Sequence, residues 1–210
     1  MEIFSLEEAA WKMRNGSVVA YPTETVYGLG TVIYDEDALA RIKKIKGSNA
    51  NKPLSVLIAG DDLSMLDELV DDVLPIAQRL IKFFWPGPLT IIHKCKDDIP
   101  ASVTGNTGFI GIRCSSHPML NSLVKEVGHP IISTSANPLG MSPATSYEQI
   151  FHYFKTSIDG ILLFDSDSYS DQKNINYNQP STIIRVEKHN FQIIREGSIS
   201  KNDILRKIYD

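Results

Sequence analysis

The sequence predicts an α/β fold: a twisted, open, mixed sheet flanked by helices, in a single domain over residues 1–210. Three observations predict it. Short apolar runs such as residues 18–21 and 109–112 alternate with amphipathic stretches for most of the chain, the pattern of strand–helix–strand units. Two late runs, 181–187 and 191–195, flank His189-Asn190, a hairpin signal that makes the sheet mixed rather than wholly parallel. A length of 210 residues with 42% hydrophobic and 22% charged side chains suits one globular unit with a sizeable core.

Each element has a local reason. Ser5 with Glu8 forms a capping-box pattern ahead of the apolar positions Ala9, Ala10 and Met13, so a first helix runs toward Gly16. Val18 to Tyr21 is a buried strand that Pro22 ends, because proline lacks the N–H that a central ladder needs. A polar loop follows, and Asp35 caps a helix over 36–46 that Gly47 terminates. Residues 53–59 are the next strand. From Asp61 the chain is helical in two pieces, Pro75 being tolerable in a first turn. Trp85-Pro86-Gly87-Pro88 breaks the helix, and 89–93 is again strand. Residues 96–108 read as a polar loop, 109–113 as strand, 117–127 as helix and 130–133 as strand. An amphipathic helix over 147–155 and a strand over 160–164 come next. Residues 165–180 are the least structured stretch and a lid candidate. Ser200 caps a short last helix.

Bulk composition excludes several classes. No apolar run reaches the roughly 18 residues of a membrane span, and the acidic start Met1-Glu2-Ile3-Phe4-Ser5 is unlike a signal peptide. Cys95 and Cys114 lack metal-ligand spacing, so a cytoplasmic protein with two unpaired thiols and no protein-bound metal is expected. The net charge of −4 argues against non-specific coating of nucleic acid. One stretch runs against that charge: Arg41, Lys43, Lys44, Lys46 and Lys52 with no acid among them, either a solvated helix face or a place to hold polyphosphate.

There is no G-x-x-x-x-G-K-[ST] loop, no dinucleotide fingerprint, no H-E-x-x-H and no G-x-S-x-G elbow. Candidate chemistry instead sits at strand ends. The loop after residue 21 carries Thr23, Glu24, Thr25, Tyr27, Gly28 and Gly30, in the position where α/β proteins bind ligands. Lys46 closes the basic helix, either to meet a phosphate or to neutralise the helix C-terminus. Arg113 ends a strand with a fork suited to a carboxylate. Ser133 to Asn137 offers three hydroxyls and an amide, for phosphate oxygens, hydrated Mg²⁺ or a turn cap. Arg195 closes the last hairpin.

The run Tyr21-Pro22-Thr23-Glu24-Thr25-Val26-Tyr27-Gly28-Leu29-Gly30 resembles the signature of the YrdC/TsaC family, the threonylcarbamoyl-AMP synthases, in its single-domain form. Trp85-Pro86-Gly87-Pro88-Leu89-Thr90, Gly111-Ile112-Arg113, Ser133-Thr134-Ser135-Ala136-Asn137, Pro180-Ser181-Thr182-Ile183 and Ile194-Arg195-Glu196-Gly197-Ser198-Ile199 resemble further family segments in the same order. The resemblance implies a YrdC-like fold over 1–210. It also implies a nucleotidyltransferase, an L-threonylcarbamoyladenylate synthase. From L-threonine, bicarbonate or CO₂ and ATP, with Mg²⁺ accompanying the ATP, such an enzyme makes threonylcarbamoyl-AMP and pyrophosphate. The product serves t⁶A modification of tRNA at position 37, through downstream transfer proteins.

In that family a K-x-R pattern with S-x-N marks the nucleotide site. Lys46, Ser135 and Asn137 match it and are the implied catalytic and ATP-binding residues, with Arg195 also on the phosphates. Position 48 departs from the pattern: Ser48 stands where the arginine is expected, and Lys52 is a candidate substitute. Arg113, Thr25 and Ser181 are implied for threonine, with Thr23 and Tyr27 as further pocket lining. The rival reading is a non-catalytic YrdC/YciO-like module that binds double-stranded RNA. Ser48 leans that way, whereas the net negative charge and the retained Lys46, Ser135 and Asn137 favour the enzyme.

Overall fold

The computed structural model describes residues 1–47, 52–60, 63–163, 179–188 and 190–209. The α/β class and the mixed pairing are as the sequence predicts, and the strands divide between two mixed sheets. The smaller sheet has the order β1 (Glu2–Phe4), β9 (Gly160–Leu162), β2 (Val19–Tyr21), β3 (Gly28–Gly30) and β8 (Thr134–Ser135). The larger has the order β11 (Phe191–Arg195), β10 (Thr182–Val186), β5 (Leu89–Lys94), β6 (Phe109–Cys114), β4 (Ser55–Ile58) and β7 (Ile131–Ile132). A single stretch, β7 to β8, leaves one sheet and enters the other: Ser133 N–H donates to Ser55 O at 2.8 Å, and Leu29 pairs with Thr134. The hydroxyls of residues 133–135 lie at this crossing.

Helix ends follow local chemistry. In α1 (Leu6–Arg14) the Ser5 capping box is formed. In α2 (Glu36–Lys46) the Asp35 carboxylate accepts from Ala38 N–H, and Gly47 closes the helix at φ +56°, a left-handed conformation that glycine adopts without strain. The remaining helices are α3 (Ser64–Leu69), α4 (Pro75–Phe84), α5 (Ala101–Thr104), α6 (Pro118–Val127), α7 (Tyr147–Phe154) and α8 (Lys201–Tyr209). The short α5 lies in what the sequence presents as loop. One core gathers Leu29, Leu39, Ile42, Val56, Leu80, Ile91 and Ile112; a second joins Ala9, Ala10 and Met13 of α1 to Leu120, Leu123 and Val124 of α6. Among the described residues no helix is long and apolar enough to cross a membrane, and both cysteines are buried.

The sequence places a loop where β3 lies. Glycine is a poor strand former, yet here it is required. Tyr21 pairs with Gly28, and a Cβ on Gly28 would lie 2.7 Å from the Tyr21 ring; one on Gly30 would lie 2.4 Å from its hydroxyl. The Tyr21 ring fills the space that two side chains would take, and its hydroxyl donates to Ile132 O at 2.9 Å. Tyr21 and the two glycines of the signature are therefore one packing unit.

Candidate active site

The β2–β3 turn, the end of α2 and the crossing at 133–135 surround a cavity of about 380 Å³, together with one face of β4, β5 and β6 and the segments at 180–183 and 195. The volume falls within the range of small-molecule sites. Thr23, Thr25, Tyr27, Lys46, Lys52, Arg113, Ser135, Ser181 and Arg195 all line it. Asn137 does not; it sits behind Ser135 and holds the lysine. Among the described residues four cations (Lys46, Lys52, Arg113 and Arg195) face the space and no carboxylate does, in a chain whose net charge is −4. Such a wall concentrates anions.

Lys46 reaches across the cavity rather than back onto its own helix. Its Nζ donates to Ser135 O and, at 2.6 Å, to Asn137 Oδ1, with Ser135 Oγ at 3.4 Å. The Ser135 hydroxyl donates to the same Asn137 oxygen at 2.7 Å, and the Asn137 amide nitrogen donates to Met141 O at 2.7 Å. All acceptors are neutral. Burial therefore pulls the ammonium pKa down to about 8, and the nearby Lys52 charge adds to the shift.

Arg113 is held differently. Its Nη1 donates to Glu24 Oε1 at 2.8 Å in a pair whose side chains are 8% and 5% exposed. The other Glu24 oxygen accepts from the Ser115 hydroxyl, and Ser115 Oγ accepts from His117 N–H at 3.1 Å. Arg195 closes the far wall: Nη2 and Nε donate to Ser181 O at 2.7 and 3.2 Å, and Ser181 Oγ lies 3.0 Å from Thr90 Oγ1. Desolvation, and then the Arg113 charge, pull the Arg195 pKa below its ordinary value, so two guanidiniums repel across the cavity in the absence of an anion.

Two expected lining residues also carry the turn. Thr23 is 2% exposed, and its hydroxyl accepts from Thr25 and Val26 N–H and donates to Val26 O, so it shapes the loop that presents Thr25. Tyr27 N–H is fixed to Ala144 O. Ser48 and most of the 165–180 stretch lie outside the described residues, so the lid reading has no structural counterpart. Sequence reasoning gave Glu24 and Ser133 as polar groups at strand ends without a role of their own, and it missed Ser115, Thr90 and Ser55 as site residues. Thr90 and Ser55 were findable as polar positions within otherwise apolar strands; Ser115 carried no signal.

The Sua5/YciO/YrdC family model, described as telomere recombination, matches residues 12–197. The chain belongs to that family. It is 36% identical over 200 residues to the threonylcarbamoyl-AMP synthase of Bacillus subtilis, an alignment covering 95% of this chain and 55% of that protein. Among solved structures it resembles Pyrococcus abyssi Sua5 complexed with L-threonine, with TM-score 0.87, 31% identity, and 97% of this chain and 57% of that one covered. It also resembles Escherichia coli YciO, with TM-score 0.80, 26% identity, and 95% and 92% covered. The chain thus spans a little over half the length of the Bacillus and Pyrococcus family members.

Proposed function

We propose that this Sua5/YciO/YrdC-family chain is an L-threonylcarbamoyladenylate synthase. The observation that carries the reading is the cavity wall, which among the described residues has four cations and no carboxylate, with Lys46, Ser135 and Asn137 already in mutual contact. The Bacillus and Pyrococcus relatives' names and the threonine in the Pyrococcus structure support it.

In this reading Arg113 takes the threonine carboxylate, with Thr25 and Ser181 beside the amino acid. Lys46, Ser135, Asn137 and Arg195 take the phosphates, and Lys52 supplies a further point charge as a substitute for the arginine that the sequence lacks at position 48. The threonine amine adds CO₂ and loses a proton. A carbamate oxygen then bonds to the α-phosphorus of ATP, and the bond to pyrophosphate breaks. Such a displacement needs positioning and charge neutralisation more than a protein nucleophile. The oxygens of Ser135 and Asn137 are hard neutral donors of the kind that suit Mg²⁺, but the Lys46 ammonium already engages them. The metal accompanying ATP is therefore expected on the phosphates, where it neutralises the departing pyrophosphate. The product is a mixed anhydride suited to transfer onto tRNA, which supports a soluble partner system for t⁶A synthesis.

The test is pyrophosphate release from ATP with Mg²⁺ and bicarbonate, with and without L-threonine. Threonine-dependent release is expected. A folded protein that releases none and retains double-stranded RNA overturns the synthase in favour of the binding module.

A further inference from the structure

Among the described residues Glu24 is the one buried carboxylate beside the cavity, and the reaction above does not use it. It sits in the β2–β3 turn of the smaller sheet, while its partner Arg113 is on β6 of the larger, so their contact ties the two sheets together at the site. Glu24 is absent from the cavity wall, whereas Arg113 is part of it. A guanidinium carries five N–H groups in one rigid plane. Pinning Nη1 to Glu24 Oε1 at 2.8 Å fixes that plane, and no other acceptor for this guanidinium is seen among the described residues. Glu24 itself is held from behind, because Ser115 donates to its second oxygen and is in turn held by His117 N–H at 3.1 Å.

We propose that Glu24 is a positioning residue: anchored by Ser115, it sets the plane of the Arg113 guanidinium so that the remaining edge of the fork meets the carboxylate of the amino-acid substrate. This rests on the assignment of Arg113 to that carboxylate. Glu24 thereby acts on selectivity for an α-carboxylate without touching the ligand. Its charge also offsets the burial of Arg113, which sits beside the like charge of Arg195.

Glu24→Gln tests this at nearly constant shape. A glutamine keeps the shape and removes the charge: its oxygen accepts from Arg113 Nη1 and its amide N–H turns to the Ser115 hydroxyl, so the ion pair becomes a neutral and weaker hydrogen bond that holds the guanidinium less firmly. The probes are L-threonine and L-threoninamide, which lacks the carboxylate charge, titrated calorimetrically with ATP as a separate ligand. The unaltered protein is expected to prefer threonine at least tenfold. In Glu24→Gln that preference falls to about twofold, while ATP affinity stays within twofold. Equal losses for both amino-acid probes, or no loss, overturn the proposal and leave the synthase reading intact. Failure of the unaltered protein to bind threonine overturns the synthase reading itself. If Glu24→Gln does not fold, Ser115→Ala decides. It keeps the ion pair and frees only the anchor, and a threefold or greater loss of the same preference is expected, an unchanged preference refuting the idea.

Discussion

At one end of the cavity a guanidinium, Arg113, is buried against a carboxylate; at the other an ammonium, Lys46, is half-buried against neutral oxygens. Both serve an electropositive wall, but they differ in what keeps them charged. Glu24 compensates the buried charge of Arg113. Among the described residues nothing of opposite charge meets Lys46, and burial pulls its ammonium pKa down to about 8. His93 on β5 extends the series. It is buried, its Nε2 has no hydrogen-bond partner among the described residues, and desolvation pulls its pKa down to about 4, so it is neutral. Lys46 and His93 share one cause: burial without an opposite charge beside it lowers the pKa of each.

Arg113→Ala is the largest break. It strands Glu24 as an unpaired buried charge, which typically costs about 3–5 kcal/mol. Urea unfolding at pH 7 should show that loss, and adding Glu24→Ala should recover part of it. If Arg113→Ala costs no more than Asn137→Ala, the contrast between the two ends fails.

His93→Leu is next. The folded-state pKa lies below the ordinary 6.5, so the unfolded chain binds the extra proton as pH falls through 6.5 toward 4. Stability is full above 6.5 and is lost in that window, by up to ~3 kcal/mol at one pKa unit per ~1.4 kcal/mol. The variant should lose less between pH 6.5 and 4.5 than the unaltered protein does in paired denaturant titrations. Parallel curves refute it.

Lys46→Met sharpens the phosphate end. A charged hydrogen-bond donor is worth about 1.5–3 kcal/mol, so ATP affinity at pH 7 should fall by about tenfold to a hundredfold. Fold stability should hold, since the lowered pKa means that the fold disfavours the ammonium below pH 8 and the variant removes that cost. In the unaltered protein, ATP affinity should weaken as pH rises above 8. A pH-independent ATP affinity between 7 and 9.5 removes Lys46 from the phosphates.

Lys52→Ala has the smallest expected effect. Lys52 is exposed at the cavity rim, where a single charge contributes about 1 kcal/mol or less. A loss of up to about fivefold in ATP affinity, shrinking with salt, is expected, and no change refutes Lys52 as a stand-in for the arginine missing at position 48.

Much of this molecule was legible in order along the chain. The Ser5 capping box, the Asp35 cap, the Gly47 stop and the Pro75 start are local devices, each complete within one or two helical turns, and all lie where the sequence predicts. The cavity residues were legible too, because strand ends expose side chains whose types already name the ligand chemistry. What only the tertiary structure decided are the contacts across distance. The N-terminal strand β1, parallel to β9, had no local mark, and β3 hides behind glycines whose missing side chains make sense only under the Tyr21 ring. Glu24 and Arg113 are 89 residues apart, as are Lys46 and Ser135. Their pairing depends on two sheets meeting at the 131–135 crossing, and that is set by the packing of both cores, which no periodicity records. Composition and local order fixed which charges this protein would bring to a ligand; packing decided which of them are compensated, and so which remain charged.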